Sequence, residues 1–368
     1  MKSNSYIRYM RQAINLAKRA RGSTHPNPMV GCVIVKNDKV IASGFHKKAG
    51  GPHAEVIALK KAKDNARGAT LFVNLEPCST YQKTPPCTDE IIKSGIKEVV
   101  IAIKDPNPIN NSKGIRKLKR HNIKVTLGIL KEEARKLNED FEKFITKKEP
   151  FVTVKVAQSL DGKLSTKSGD SKWITSYIAR RYAHKLRAYN DAVLVGVNTV
   201  IKDNPRLNSR LYKSATKQPK RIIVDSHLRI PYKARMISED LNQNVIIATT
   251  KYASQKKVDN LRKRKVDIII TKSKDKLVDL KDLLKKLAEK SIVNLLVEGG
   301  SKIITSFLNE RLVDKIVVFI APKIIGGRYA NTFYEGEGIT KIKDALLLKD
   351  VSYKRIGEDL MVEGYLPR

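Results

Sequence analysis

The stretch "GGPHAEV" (residues 50–56), read together with "EPCSTYQKTPPC" (76–87), spaces one histidine, one carboxylate and two cysteines as a catalytic metal site would. Three ligands of the His/Cys/Cys kind hold zinc and leave its fourth tetrahedral position open to water. Zinc lowers the pKa of that water toward about 7, and a carboxylate that is not a ligand can then carry protons. Zinc deaminases use this set, with the signature His-x-Glu followed by Pro-Cys-x-x-Cys. His53-Ala54-Glu55 matches the first half and Pro77-Cys78 the second. His53, Cys78 and Cys87 are therefore read as metal ligands and Glu55 as the catalytic proton shuttle. In mid-helix, residues two apart point about 200° from each other. The pair thus needs a helix start, which Gly50, Gly51 and Pro52 supply. Cys87 follows Pro85 and Pro86 and opens the next helix, where the N-terminus favours thiolate. Two unrelated cysteines and a capping histidine would leave Glu55 and the prolines unexplained.

Working outward, apolar runs at 29–36, 39–45, 69–75, 97–103 and 123–129 read as strands, with helices over 53–64, 87–94 and 113–121. That alternation is the pattern of an α/β sheet covered by helices. Ile7, Met10, Ile14 and Ala17 recur at helical spacing, so the basic N-terminal segment reads as a first helix rather than a transit peptide. A charged helix over 130–148 stops before Pro150, which divides the chain into domains 1–148 and 149–368. The second domain shows strands near 151–157, 191–197, 221–225, 244–249, 267–271, 292–298 and 313–321. Helices fall near 176–189, 252–264, 277–290 and 301–310, a polar loop over 203–219, and a closing hairpin over 349–366. Glu298-Gly299-Gly300 ends a strand and opens a helix, which offers backbone amides to a phosphate, although such a turn can also be simple chain reversal. There is no Gly-x-Gly-x-x-Gly, so a Rossmann dinucleotide fold is not indicated.

Composition narrows the setting. Three cysteines in 368 residues cannot build a disulfide framework, which points to the reducing cytoplasm. Cys32, in "MVGCVIVK", reads as a core residue. No run approaches the ~18 apolar residues of a membrane span. The net charge of +36, from 73 basic and 37 acidic residues, would suit a polyanion. Yet the lysines are spread over both halves without an aromatic-interleaved stripe, and Ile and Asn are abundant beside them. Compositional drift accounts for this better than nucleic-acid binding. A nucleic-acid deaminase typically has two residues between its cysteines, not the eight found here.

"THPNPMVGCVIV" (24–35), "HAEV", "EPCSTYQKTPPC" and "DPNP" (105–108) together resemble the deaminase domain of the bifunctional riboflavin-biosynthesis deaminase/reductase family. "VKVAQSLDGKLSTKSGDSKWIT" (154–175), "LVGVNTVIKDNPRLNSR" (194–210) and "LLVEGGSKIITSFL" (295–308) resemble its reductase domain, so the resemblance spans essentially the whole chain. It implies a cytidine-deaminase-like α/β/α zinc domain followed by a dihydrofolate-reductase-like α/β domain that uses NADPH. Carried over by position, Asn27, His46, Lys83, Asp105 and Asn107 contact the substrate in the first domain. In the second, Lys155, Ser171, Thr175, Arg187, Leu207, Arg210 and Glu298 line the substrate site. Ala157, Trp173, Thr199, Asp203, Ser226, Gly300, Ser301, Lys302, Ile303, Ile304, Thr305 and Ser306 are implied around NADPH, with Asp203 also near the substrate. Arg187 and Arg210 suit a sugar phosphate, because guanidinium forks grip phosphate oxygens bidentately. The implied substrate is a pyrimidine ribosylamine phosphate, first deaminated and then reduced at its ribose. A homo-oligomer without nucleic-acid or membrane partners is expected. Two positions depart from the family: Thr80, where a histidine is common, and Ser112, near a usual glycine.

Overall fold

Period-two burial organises the first sheet. In β1 (Gly31–Lys36), Cys32 and Ile34 pack on one face while Val33 and Val35 pack on the other. A strand buried on both faces needs helices on both, and the chain supplies them. The computed structural model describes residues 2–81, 85–211, 218–239 and 244–367, and its contacts divide the chain into two units, Met1–Glu149 and Pro150–Arg368.

The first unit runs α1 (Lys2–Ala17), β1, β2 (Lys39–Phe45), α2 (Ala54–Ala62), β3 (Thr70–Leu75), α3 (Cys87–Lys93) and β4 (Glu98–Ile103). It continues through α4 (Lys113–Arg120), β5 (Lys124–Leu127), α5 (Lys131–Leu137) and α6 (Glu139–Lys147). The sheet order is β2-β1-β3-β4-β5, with β3, β4 and β5 parallel and β1 antiparallel to both its neighbours. Ala54, Ala58 and Ala62 let α2 lie close to the sheet, and Gly44 completes the fit. A Cβ there would stand 2.6 Å from the Ala54 carbonyl oxygen. This close seat fixes the start of α2, where His53 and Glu55 stand.

The helix expected over 130–148 is two helices. Asn138 breaks it, because its buried amide leaves the helical path to bond both the N–H and the carbonyl of Met29, at 2.8 and 3.0 Å. Asn74 grips the same segment from β3, accepting from Gly31 N–H and donating to the Met29 carbonyl.

The second unit begins with β6 (Phe151–Ser159), α7 (Tyr177–Tyr189), β7 (Ala192–Gly196), α8 (Val197–Asp203), β8 (Lys220–Val224), α9 (Arg235–Ser238) and β9 (Val245–Thr249). There follow α10 (Gln255–Lys263), β10 (Asp267–Ile270), β11 (Ser273–Lys274), β12 (Leu277–Val278), α11 (Leu280–Glu289), β13 (Asn294–Val297) and α12 (Ser301–Asn309). The unit ends with β14 (Lys315–Ala321), β15 (Lys349–Ile356) and β16 (Asp359–Tyr365). Nine strands form one sheet in the order β10-β9-β8-β7-β13-β6-β14-β16-β15, parallel from β10 to β14 and antiparallel in the last two pairs. The sequence reading lacks α8, α9 and the β11–β12 hairpin. Each is too short to show a period; α8 buries only Val197 and Val200. Within the polar loop expected over 203–219, residues 212–217 lie outside the described residues. Among the described residues no helix is long and apolar enough to cross a membrane.

Candidate active sites

His53 is the residue just before α2, in extended conformation, and Glu55 lies in the first helical turn, as the two-residue spacing requires. Cys78 follows β3 and Cys87 starts α3. His53 Nδ1 lies 3.1 Å from Cys87 Sγ and 3.6 Å from Cys78 Sγ, and the three ligand atoms all fall within 4.8 Å of one another. Zinc bond lengths and tetrahedral angles call for ligand–ligand separations of about 3.5–3.8 Å; the 3.6 Å pair meets this and the 3.1 Å pair has only to open by about 0.4 Å, so this donor set fits zinc.

The two thiols are hydrogen-bonded to each other. Hydrogen bonds from the Cys87 side chain, from His53 and from the Cys87 N–H hold the Cys78 thiol down at about 4. Its partner Cys87 is pushed up, by that same side-chain bond and by burial. The expected helix-start effect therefore falls on the other cysteine. The first amide of α3 points at the Cys78 sulfur, and Cys87 itself is wholly buried. The hydrogen bond to Cys78 raises His53. Glu55, only 3 % exposed, has its carboxyl pushed up to about 7 by burial.

His46 adjoins this corner, its ring 5.3 Å from that of His53 and edge-on to it. Its Nδ1 is 3.1 Å from the Pro52 carbonyl, which only accepts, so the proton sits on Nδ1. Nε2 then accepts from the Asn27 amide at 3.1 Å, and Asn27 Oδ1 remains available to a ligand. Burial lowers the His46 pKa, in keeping with this neutral form. Asp105 accepts from the Asn107 N–H and from the Asn110 amide, and burial pushes it up to about 6. Thr80 donates to Asn110 at 2.8 Å, so the departure at this position feeds the same network. Ser112 has φ 61°, which explains why glycine suits that place. Lys83 lies outside the described residues.

Glu76, not singled out in the sequence, accepts from the N–H groups of Asp105, Ser112 and Ile115 and ties the Cys78 segment to α4. Its place beside Pro77-Cys78 was the available signal, but its partners lie 29 to 39 residues away.

The second unit holds a cleft of about 1470 Å³. Lys155, Ala157, Ser171, Trp173, Thr175, Arg187, Thr199, Asp203, Leu207, Arg210, Ser226 and Glu298 all line it, as do Gly300–Ile304 and Ser306. Thr305 is not among the lining residues; its hydroxyl accepts from the Glu335 N–H. Ile303 and Ile304 also belong to the core. The Leu207 side chain is buried in a second core cluster. Trp173 is 63 % exposed, and the Arg180 guanidinium stacks 4.4 Å from its ring centre while donating to the Thr175 carbonyl.

Arg187 is committed elsewhere than the bare arginine pattern suggests. Its Nε and Nη2 grip both oxygens of Glu298, at 2.7 and 2.8 Å, and its Nη1 reaches the Asn208 carbonyl. Lys155 adds a contact of 3.1 Å to the same carboxylate. Burial opposes ionisation of Glu298, but Arg187 and Lys155 outweigh it and hold the carboxyl well below the usual range. The edge of Arg187 that would fork a phosphate is thus occupied, whereas exposed Arg210 has no such partner among the described residues. At the start of α12 the Gly300 N–H donates to Thr199 Oγ1 at 3.1 Å. It is Gly299, with φ 120° and Thr199 Oγ1 3.0 Å from where a Cβ would stand, that requires glycine.

Comparison with known proteins joins the two sites. Residues 3–103 match the family model for the cytidine and deoxycytidylate deaminase zinc-binding region, and residues 150–362 match that for the RibD C-terminal domain. The riboflavin biosynthesis protein RibD of Aquifex aeolicus is 48 % identical over 354 residues, 96 % of each chain. The chain belongs to the RibD family. The RibD of Actinobacillus pleuropneumoniae is 44 % identical over 98 % of this chain and 96 % of its own. Among solved structures, Acinetobacter baumannii RibD superposes with a TM-score of 0.90 at 37 % identity. The Thermotoga maritima diaminohydroxyphosphoribosylaminopyrimidine deaminase/5-amino-6-(5-phosphoribosylamino)uracil reductase does so with 0.85 at 38 %, and both comparisons cover each chain in full. The chain is accordingly a bifunctional riboflavin-pathway enzyme, a zinc-dependent deaminase and an NADPH-dependent reductase acting on a small pyrimidine.

Proposed function

We propose that the first unit removes the exocyclic amine of 2,5-diamino-6-ribosylamino-4(3H)-pyrimidinone 5′-phosphate and that the second reduces the ribosyl group, giving 5-amino-6-ribitylamino-uracil 5′-phosphate. The observation that carries this reading is the convergence of His53, Cys78 and Cys87 beside a buried carboxyl that is not part of the ligand set. Zinc held by those three residues supplies the Lewis acidity that makes water a nucleophile at neutral pH. Glu55 takes a proton from the attacking water and delivers one to the departing amine, so the C–N bond breaks and ammonia leaves. A carboxyl lifted to about 7 by burial is suited to both transfers. Asn27 recognises the pyrimidine edge through the oxygen that His46 leaves free. Asp105 and Asn107 hold the other side of the ring, and the family resemblance adds Lys83 as a substrate contact.

In the second unit NADPH supplies the hydride for the ribose C1′. The amides at the start of α12 hold its phosphates, with Thr199 bracing Gly300. Lys155, Ser171 and Arg210 face the phosphorylated sugar, while Arg187 orients Glu298 rather than gripping phosphate. We place the enzyme in the cytoplasm, in keeping with three unpaired cysteines. A homo-oligomer is proposed, for which the exposed edge strand β15 is suited. Nucleic acid has no part in the reaction. Purified protein given the diaminopyrimidinone phosphate should release ammonia without NADPH and form the ribityl product only with it, as read by mass. Chelating zinc should stop the first step and leave reduction of pre-deaminated substrate intact. Ammonia release that survives full removal of zinc would overturn the reading.

A further inference from the structure

The cleft of the second unit carries a histidine that the reaction as described leaves unused. His184 lies on α7 and lines the cleft with Arg187, one turn further on, and with Arg210. The segment before Arg210 is stitched to it twice. His184 Nδ1 is 3.2 Å from the Asn208 carbonyl, and Ser209 Oγ donates to the His184 carbonyl at 3.1 Å. The Gln218 amide holds both backbone groups of Ser209, at 2.9 and 3.1 Å, so the root of Arg210 is fixed against this turn of α7. A carbonyl only accepts, so the proton of the neutral His184 ring sits on Nδ1. Nε2 then carries a bare lone pair and makes no hydrogen bond among the described residues. The charged groups around the ring are Arg181 and Arg187 of α7 itself, Arg210, and Glu298 after β13 with Lys155 upon it. Asp203 at the end of α8 lines the cleft as well. Burial lowers the His184 pKa first, and Arg187 and Arg210 lower it further against the opposing pull of the Asn208 carbonyl and Glu298. The protein's own groups therefore keep the ring neutral at about pH 7.

We propose that His184 is a further substrate-binding residue of the reductase, which takes up a proton on Nε2 and donates it in a hydrogen bond to the sugar phosphate that Arg210 receives. The inference rests on the reading of this cleft as the site of the phosphorylated sugar. A phosphate monoester is largely a dianion above about pH 6, and one guanidinium neutralises only half of it. The fork of Arg187 is filled by Glu298, so Arg187 is not the second cation. His184 is placed to be, since its ring bonds Asn208 and its carbonyl bonds Ser209, the two residues before Arg210. A bare Nε2 would set its lone pair against a phosphate oxygen, a repulsion that protonation turns into a charge-assisted hydrogen bond. The dianion thus reverses the effect of the two arginines and lifts the ring's pKa, and the proton comes from solvent. The Asn208 carbonyl keeps the Nδ1 proton in place in either state, so only Nε2 changes. This contribution to affinity is complete below the pKa of the free ring and is lost as pH rises through that of the bound ring. Contacts made by arginine alone would show no such loss.

The test is calorimetric titration of the full-length zinc-bound chain with ribose 5-phosphate at about pH 7.5, where the ligand is already a dianion, in two buffers of different ionisation heat. Proton uptake on binding is expected in the wild type and should be lost in His184→Gln, which keeps a neutral donor in place of the ring. The variant should bind about tenfold more weakly at about pH 6.5 and within about twofold of the wild type at about pH 8.5, the scale of one charge-assisted hydrogen bond. The KM for the deaminated substrate should follow the same course, with kcat little changed. A histidine that only braces the 208–210 segment would cost affinity equally at every pH, and that result would overturn the proposal. So would uptake that persists in the variant. Binding to the wild type without any proton uptake, a measurement that needs no variant to fold, would overturn it too and leave the sugar-phosphate reading standing. Wild-type protein that did not bind ribose 5-phosphate at all would remove that reading, and the proposal with it.

Discussion

Glu55 and Glu298 are two carboxyls with nearly the same burial, 3 and 4 % exposed, and opposite character. Among the described residues Glu55 has no lysine or arginine against it, and burial lifts it to about 7. Glu298 is clasped by Arg187 and Lys155 and stays ionised. Desolvation pushes both the same way, so the neighbours decide the outcome. The first is left able to exchange a proton; the second is spent on fixing two cations at the floor of a cleft. Burial alone therefore does not mark a catalytic acid or base.

The strongest test of that contrast is Glu55→Gln. Deamination should fall by about 10²–10⁴-fold, the usual contribution of a positioned proton carrier, while one zinc per chain is retained by metal analysis. Glu298→Gln should leave deamination untouched. Loss of zinc in the first variant would make Glu55 a ligand and end the comparison.

Arg187→Met probes the other carboxyl. It strands a buried carboxylate with Lys155 alone, and the second unit should lose about 3–5 kcal/mol in urea unfolding at pH 8. In the wild type the lowered pKa of Glu298 gives stability that is complete above the ordinary carboxylate range and is lost only in strong acid. Without Arg187 the carboxyl titrates higher, so it takes up a proton as pH falls and the penalty should shrink by pH 5. A penalty that does not change with pH would mean that lost packing, not charge, dominates.

The helix starts give smaller effects. Gly299→Ala should destabilise the second unit by about 1–3 kcal/mol, because φ 120° excludes a Cβ, whereas Gly300→Ala should cost under about 1 kcal/mol. Smallest is a gain: Ser112→Gly removes a left-handed serine at the start of α4 and should stabilise the first unit by about 0.5 kcal/mol in thermal unfolding.

The zinc corner was legible because its parts are short contiguous motifs whose spacing already encodes a helix start. The strands of both sheets were legible because burial on two faces writes long apolar runs. What stayed hidden depends on partners distant in sequence. Nothing near Arg187 announces that Glu298, 111 residues on, will occupy its fork. Nothing around Asn138 announces Met29, so one amphipathic run reads as one helix. The reversal at the cysteines has the same origin, since only the folded chain shows that the Cys87 amide points at Cys78.

The Asn138 break bears on how this enzyme can be divided. The segment after β5 looks like a charged spacer, the natural place to cut when a deaminase is wanted alone. Yet Asn138 and Asn74 together hold the Met29 peptide, two residues after Asn27. A fragment ending near residue 130 would keep every zinc ligand and the proton carrier while losing half the clamp on the turn that presents Asn27. Such a fragment should bind metal and turn over poorly, a defect easily mistaken for dependence on the missing reductase. A single-activity version has to run through Lys147 before the contribution of the second half can be judged.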